Sequence, residues 1–252
     1  MSAPGRKVLV IDVGGNNVKF LITGQRIPLK VPSGPELTPK RMVRLVRKAT
    51  RGWEFDGVSL GFPGLVLHGR PVVEPHNLGR GWVRFNFEKA FRRPVKIIND
   101  AAMQALGSYK GGKMLFLGLG TGMGSALIDH GVLQPLELAH LPYRRATFEY
   151  YVGARALKRM GKKKWRRSVG RVVRDLQRAL EPDYVVLGGG NVKKLKKLPP
   201  GTRRGDNANA FRGGFRLWKN EKDPGNVSSR YGQERRTSSK HLQTRSAPVP
   251  AS

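Results

Sequence analysis

Short apolar runs that end in glycine or a polar residue set the rhythm of this chain. Lys7 to Asp12, Val18 to Thr23 and Arg26 to Val31 follow one another at hairpin spacing and predict three sequential strands. Thr38 to Thr50 places Met42, Val43, Leu45 and Val46 among basic residues, behind Thr38 as N-cap and Pro39 at the first helical position, and predicts a helix. Gly57 to Gly61, Val95 to Ile98 and Met114 to Leu119 are apolar runs of buried-strand length, and Ala101 to Tyr109 reads as a helix. Ala126 to Leu133 turns through Asp129, His130 and Gly131 as a hairpin does. Phe148 to Met160 and Trp165 to Leu180 have helical periodicity, the second with Val169, Val172, Val173, Leu176 and Leu180 on one face. Tyr184 to Leu187 returns to strand, and Gly188 to Gly190 opens a helix capped by Asn191.

Strand, glycine loop and helix recur in both halves, which predicts two lobes of similar build around a central cleft. The expected division is 1–100 for the N-terminal lobe and 101–219 for the C-terminal lobe, with the globular part ending near Trp218. In 220–252 serine, glycine, proline, arginine and glutamine dominate, and a disordered basic tail is expected there.

Composition sharpens this picture. The 252 residues include no cysteine, which excludes disulfides, thiolate nucleophiles and cysteine-type zinc sites and fits a reducing, cytoplasmic setting. The longest apolar stretch, Met114 to Ile128, is broken by four glycines and falls short of a bilayer span, and no export signal is evident. A soluble protein without membrane association is expected. The charge is unusual: 48 Lys and Arg against 17 Asp and Glu give a formal net charge of +31. Such a field concentrates polyanions, so that nucleic acid, inorganic polyphosphate and an anionic membrane surface all qualify as partners, or part of it serves only solubility.

Three glycine loops could hold phosphate. In Asp12-Val-Gly14-Gly15-Asn16-Asn17-Val-Lys19 a strand ends in an acid and turns tightly into a second strand. Backbone N–H groups there can cradle phosphate oxygens, the Asp12 carboxylate can hold Mg2+ through water, and Lys19 offers a point charge. Gly120-Thr121-Gly122-Met123-Gly124 lies between two apolar strands and adds a hydroxyl. Gly188-Gly189-Gly190-Asn191 ends a strand at a helix N-terminus, where anions are favoured. Each also reads as an ordinary glycine turn. Acids are scarce, so Asn99-Asp100, directly after Val95 to Ile98, stands out. Asp100 reads either as a helix N-cap or as a catalytic base. Asn77, Glu137 and His140 follow strand-like runs and bring groups of the type that bracket sugar hydroxyls.

In combination these segments resemble the ROK family of sugar kinases, and within it the polyphosphate glucokinase branch, over roughly 7–198. Asp12 to Lys19 is similar to the phosphate-1 motif, Gly61-Phe-Pro-Gly64 to the family's turn, Asn99-Asp100-Ala101 to its catalytic segment and Leu117 to Ser125 to its phosphate-2 motif. Glu137 and His140 resemble the Glu-x-Gly-His sugar motif, Glu149 the following sugar-contacting acid, and Leu187 to Gly190 the adenosine motif. The resemblance implies an α/β protein of the actin-like ATPase (ribonuclease H-like) fold that transfers a phosphoryl group to a hexose 6-hydroxyl. It implies Asp100 as the base and Asn77, Asn99, Asp100, Glu137, His140 and Glu149 around the sugar. Asp12, Gly14, Gly15, Asn16, Lys19, Gly120, Thr121, Gly122, Gly188, Gly189 and Gly190 would hold the donor, polyphosphate or ATP, with Mg2+ at Asp12. Homodimers are a further family expectation.

The chain departs from the pattern at three places. Asn16 stands where Thr or Ser is usual, Ala139 replaces a Gly, and the stretch between His140 and Glu149 lacks the cysteines of a zinc loop, so no structural zinc is expected. With eleven residues ahead of Asp12, a DNA-binding repressor is not expected either. The basic residues Arg167, Arg171, Arg174 and Arg178 share one helical face and could guide a polyphosphate chain, or be a solvated face. The rival class is a non-catalytic polyanion or nucleic-acid binder that retains the kinase fold.

Overall fold

The computed structural model describes residues 6–206 and 208–219; the basic tail expected over 220–252 lies outside them. The first half runs β1 (Val8–Val13), β2 (Asn17–Ile22), β3 (Leu29–Pro32), α1 (Pro39–Ala49), β4 (Gly57–Phe62), the small hairpin of β5 (Val66–Leu67) and β6 (Arg70–Pro71), α2 (Phe87–Phe91), β7 (Val95–Asn99) and α3 (Asp100–Ser108). The second runs β8 (Lys113–Leu119), β9 (Met123–Asp129), β10 (Val132–Leu136), a 3-10 turn (Leu138–His140), the small hairpin of β11 (Pro142–Tyr143) and β12 (Ala146–Thr147), α4 (Phe148–Val152), α5 (Ala154–Leu180), β13 (Tyr184–Gly188), a 3-10 turn (Val192–Lys194), β14 (Thr202–Arg204) and α6 (Asn209–Arg216).

The two halves repeat one topology. The first sheet has the order β3-β2-β1-β4-β7 and the second β10-β9-β8-β13-β14. In each, the first three strands are antiparallel neighbours and the last two add in parallel. This duplication is the two-lobed actin-like architecture that the motifs imply.

Strand alternation divides each sheet into two faces. Leu9, Ile11, Val13, Val58, Leu60 and Phe62 pack with Met42, Val43 and Val46 of α1 and Phe87 and Phe91 of α2. The opposite face, Val8 and Val10 with Leu21, packs on Met103 of α3 and Ala210 and Phe211 of α6. In the second lobe Leu115, Leu117, Val185 and Leu187 pack on Trp165, Val169, Val172, Val173 and Leu176 of α5. Its other face, Met114, Phe116, Ala126, Ile128 and Val186, packs on Ala101, Ala102, Ala105 and Leu106 of α3. The last helix of each half therefore lies against the sheet of the other.

α3 and α6 can meet between the sheets because their contact is made by backbone. A Cβ at Gly107 would overlap the carbonyl oxygen of Asn209, and one at Gly213 would overlap that of Met103. On β4 the residues facing these helices are small. Ser59 donates to the Gly214 carbonyl at 2.7 Å and accepts from Trp218 Nε1 at 2.8 Å, while a Cβ at Gly57 would press into the Trp218 ring. Nearby, Asn209 Nδ2 donates to Ser108 Oγ at 2.8 Å, joining the helices by a buried hydrogen bond.

Thr38 caps α1 as its sequence predicts, accepting from Arg41 N–H at 3.3 Å, with Pro39 at the first turn. The expected helix from Phe148 to Met160 is instead divided. Gly153 is extended, and Ala154 N–H donates to the Thr121 carbonyl at 3.0 Å, so α5 starts against the 120–122 loop. α5 is interrupted at Gly161, where φ is 73°. The helix expected after Gly188 to Gly190 shrinks to a single 3-10 turn, and Asn191 does not cap it; its side chain bonds elsewhere. Among the described residues no helix is long and apolar enough to cross a membrane.

Gly107→Ala and Gly213→Ala should each lower stability by about 3 kcal/mol or more in urea unfolding, since a backbone carbonyl cannot yield as a side chain can. Gly170→Ala in α5, where an added Cβ meets nothing within 4 Å, should raise it by about 0.5–1 kcal/mol.

Candidate active site

Gly61 of β4 and Gly124 of β9 both approach the N-terminus of α3, beside Asp100 and Ala101 respectively. Asp12, the last residue but one of β1, is paired in register with Lys19 on β2 and with Gly61 on β4. A Cβ at Gly61 would lie 3.6 Å from the Asp100 Cα and overlap the Met103 side chain. The absence of a side chain at 61 leaves room for the Met103 side chain beside the start of α3.

Asp100 is not the helix cap. Asn99 holds that position, its Oδ1 accepting from Ala101 N–H at 2.9 Å and Ala102 N–H at 3.1 Å, while its Nδ2 donates to the Gly64 carbonyl at 3.1 Å. The N-cap reading of Asp100 thus passes to its neighbour. One oxygen of Asp100 accepts from Ala101 N–H at 2.8 Å. Burial pushes its pKa up from 3.8 to about 7; the Asp12 charge and, more weakly, Glu137 push the same way, and the Ala101 N–H opposes them. Asp12 is raised by burial to about 6, with Lys19 pulling it down. Two carboxylates, each raised toward neutrality by its surroundings, are thus partly protonated near pH 7.

The remaining predicted residues fall into separate roles. Gly14 N–H closes the first loop on the Asn17 carbonyl at 3.1 Å, so it is already engaged. Gly15 and Asn16 are exposed, and Gly15 faces Asn77, whose Cβ would be 3.8 Å from an added Cβ. In the second loop Gly120 N–H bonds to the Gly122 carbonyl at 3.1 Å, leaving Thr121 exposed at the tip. Glu149 lies against this loop, its Oε2 accepting from Met123 N–H at 3.3 Å and occupying the space a Cβ on Gly122 would fill. Of the glycine triplet, Gly188 is buried against Phe116, and Gly189, with φ of 84°, passes so close to the Leu119 backbone that only glycine fits. Gly190 alone is open and exposed. Asn191 Nδ2 donates to the Gly120 carbonyl at 2.8 Å, tying the third loop to the second. Glu137 and His140 are exposed at the two ends of one short turn.

Two positioning residues escaped the sequence reading. Glu74 accepts from the N–H groups of Gly81, Trp82 and Val83 at 3.0–3.3 Å and so clamps the loop that carries Asn77. Ser125 donates to the Leu136 carbonyl at 2.7 Å and accepts from Leu138 N–H at 3.2 Å, bracketing Glu137 on both sides. Nothing local marks an acid or a serine for such work; its partners are set by loop geometry.

The family profile described as "ROK family" matches residues 8–134, half of the chain. The chain belongs to the ROK family. A polyphosphate glucokinase of Mycobacterium tuberculosis is 30% identical over 216 residues, covering 75% of this chain and 80% of that protein. Among solved structures, the inorganic polyphosphate/ATP-glucomannokinase of Arthrobacter sp. strain KM matches with a TM-score of 0.73 at 24% identity over 84% of this chain and 97% of the other. A ROK family glucokinase of Streptomyces griseus, solved with glucose and AMPPNP, gives 0.70 at 17% identity over 84% and 98%. These likenesses establish the actin-like fold.

Mg2+, which the family implies, fits this donor set in a limited way. Among the described residues no three acids or histidines gather into a cage. The Asp12–Asp100 pair suits an ion that takes one or two carboxylates and completes its shell with water and donor phosphates.

Because both folded-state values are raised, the native protein holds protons that the unfolded chain has released. Stability should therefore fall as pH climbs from about 4 to about 7. Asp100→Asn should flatten that dependence and raise Tm at pH 8 relative to the parent, measured by calorimetry at pH 5 and 8. Carboxyl NMR should find Asp100 titrating near 7, and lower in Asp12→Asn, where the repelling charge is gone.

Proposed function

We propose that this chain is a kinase that moves the terminal phosphoryl group of inorganic polyphosphate, with ATP as an alternative donor, to the 6-hydroxyl of glucose or a closely related hexose. The observation that carries this reading is Asp100: an acid freed from capping by Asn99, raised to about 7, and near enough to Asp12 of the first half and Glu137 of the second to feel their charges. The activities named for the polyphosphate glucokinase and glucomannokinase relatives supply the substrate class.

In this reading the hexose lies among Asn77, Glu137 and His140, and its 6-hydroxyl donates a hydrogen bond to Asp100. As the hydroxyl oxygen bonds to phosphorus, its proton passes to the Asp100 carboxylate, and the bond from phosphorus to the bridging oxygen breaks. The electron pair leaves with the shortened polyphosphate or ADP. Exposed Gly15, Asn16 and Thr121 and the charge of Lys19 would hold the phosphates, while Asn99 keeps α3 in place. Mg2+ at Asp12 would neutralise donor charge. Such transfer asks mainly for positioning and charge neutralisation, which this arrangement offers.

Donor length is where the basic surface enters. Arg167, Arg171, Arg174 and Arg178 are exposed on the α5 face opposite Trp165, Val169, Val172 and Val173. Arg166 Nε donates to the Lys194 carbonyl at 2.7 Å, joining α5 to the lysine-rich segment that Asn191 anchors to the second loop. A phosphate chain leaving that loop would meet positive charge along both elements. A purely polyanion-binding protein would have no use for Asp12 and Asp100, whose raised pKa values record an electrostatic cost.

Glucose-6-phosphate formation should be seen with polyphosphate and Mg2+, and ATP should be tested separately. Asp100→Asn should lower kcat by about 10²–10⁴-fold with little change in glucose Kd; unchanged turnover would remove the base assignment. Arg171→Glu with Arg174→Glu should raise the KM for long-chain polyphosphate about tenfold, and more at low salt, while leaving the KM for ATP nearly unchanged.

A further inference from the structure

The C-terminal ends of α1 and α2 meet at a concavity of about 440 Å³ on the face of the first sheet opposite α3 and α6, and therefore away from Asp100. Four arginines line it, Arg47, Arg51, Arg92 and Arg93, together with Trp53 and Phe55. Among the described residues none of the four has a carboxylate within ion-pair distance. Like charges gathered around one hollow repel, and the arrangement gains most when an anion enters.

Some of this charge has a local explanation. Arg47 donates to the Ala90 carbonyl at 3.2 Å and Arg93 to that of Arg92 at 2.9 Å, as cations near helix C-termini do, and Arg93 also donates to the Phe55 carbonyl in the loop before β4 at 2.7 Å. These bonds also hold two guanidiniums in place. Arg51 and Arg92 have no such occupation, since neither side chain makes a hydrogen bond among the described residues. Arg92 moreover sits at φ 55° and ψ 35°, the left-handed helix end where glycine is the ordinary choice. The chain thus carries a guanidinium where backbone geometry favours no side chain at all.

We propose that this hollow is a second anion site, distinct from the cleft, that binds a short phosphoryl chain: a free oligophosphate or the phosphates of a nucleotide. The volume suits a ligand of that size, at the lower end of small-molecule pockets. Paired guanidiniums match phosphate oxygens in geometry as well as charge. Trp53 offers an aromatic wall for whatever the chain is attached to. The site does not depend on the kinase reading.

Isothermal titration of the full chain with tripolyphosphate and, separately, with ADP tests it, at about 0.15 M salt to suppress diffuse binding. Two anions per chain are expected, with quenching of Trp53 fluorescence that Trp53→Phe abolishes. Arg51→Gln with Arg92→Gln should weaken the second site at least about tenfold and leave the other site and glucose phosphorylation unchanged. Arg51→Gln with Arg92→Gly, which relaxes the left-handed position, should do the same in a fold at least as stable. Filling by tripolyphosphate identifies a free phosphate chain, and filling by ADP alone identifies a nucleotide. One site in the parent protein would overturn the proposal, as would equal weakening by Lys40→Gln with Arg41→Gln at the other end of α1. Occupation by single-stranded RNA but by neither small anion would also overturn it.

Discussion

The direct backbone contact between α3 and α6 is the constraint on which the rest of this molecule depends. Each helix closes one ribonuclease H-like unit and buries its apolar side against the sheet of the other unit. Gly107 and Gly213 bring the two helices together without side chains between them, and Gly57, Ser59 and Gly61 clear the surface of β4 on which they rest. The N-terminus of α3, and Asp100 with it, is thereby carried to the line where the two lobes face each other. A helix held this way cannot shift without disturbing both cores, so the position of the acid is inherited from the packing of the whole fold.

Against that mechanical background the electrostatics of the cleft are unusual for so basic a chain. A formal charge of +31 would be expected to depress carboxylate pKa values. Asp12 rises instead because burial outweighs the pull of Lys19, and Asp100 rises because burial is joined by the charge of Asp12. Only Lys19, on the strand paired with β1, is near enough to act on Asp12. Local desolvation thus sets the chemistry of the site, and the long-range field acts on what approaches it.

The surrounding loops show the same division between holding and acting. Glu74, Asn99, Ser125 and Asn191 bind backbone groups and fix the loops that carry Asn77, Asp100, Glu137 and Thr121. Asn99 and Asp100 are adjacent in sequence yet divide the two tasks between them. The capping role open to either acid or amide is taken by the amide, which has a donor for the Gly64 carbonyl as well as an acceptor for the helix.

Much of this was legible in the order of residues. Alternating apolar runs marked the strands, Thr38 and Pro39 marked the start of α1, and the glycine loops with Asp12 and Asn99-Asp100 marked the family. These are local signals, written in turn chemistry and periodicity over a few positions. The structure alone decided which glycine of 188–190 stays open, that Asn191 braces Gly120 in place of capping a helix, and that α4 ends at Gly153 so that Thr121 can meet α5. It alone showed Glu74 as a loop clamp and gathered Arg51 and Arg92 at one hollow. Each of these joins residues distant in the chain, and a carbonyl, a ring or a guanidinium gains its partner only once the sheets and the crossed helices have brought the two together. The sequence by itself determined the elements, the family and the candidate acids; tertiary packing decided how deeply Asp12 and Asp100 are buried and how far their pKa values rise, because burial and proximity are properties of the fold.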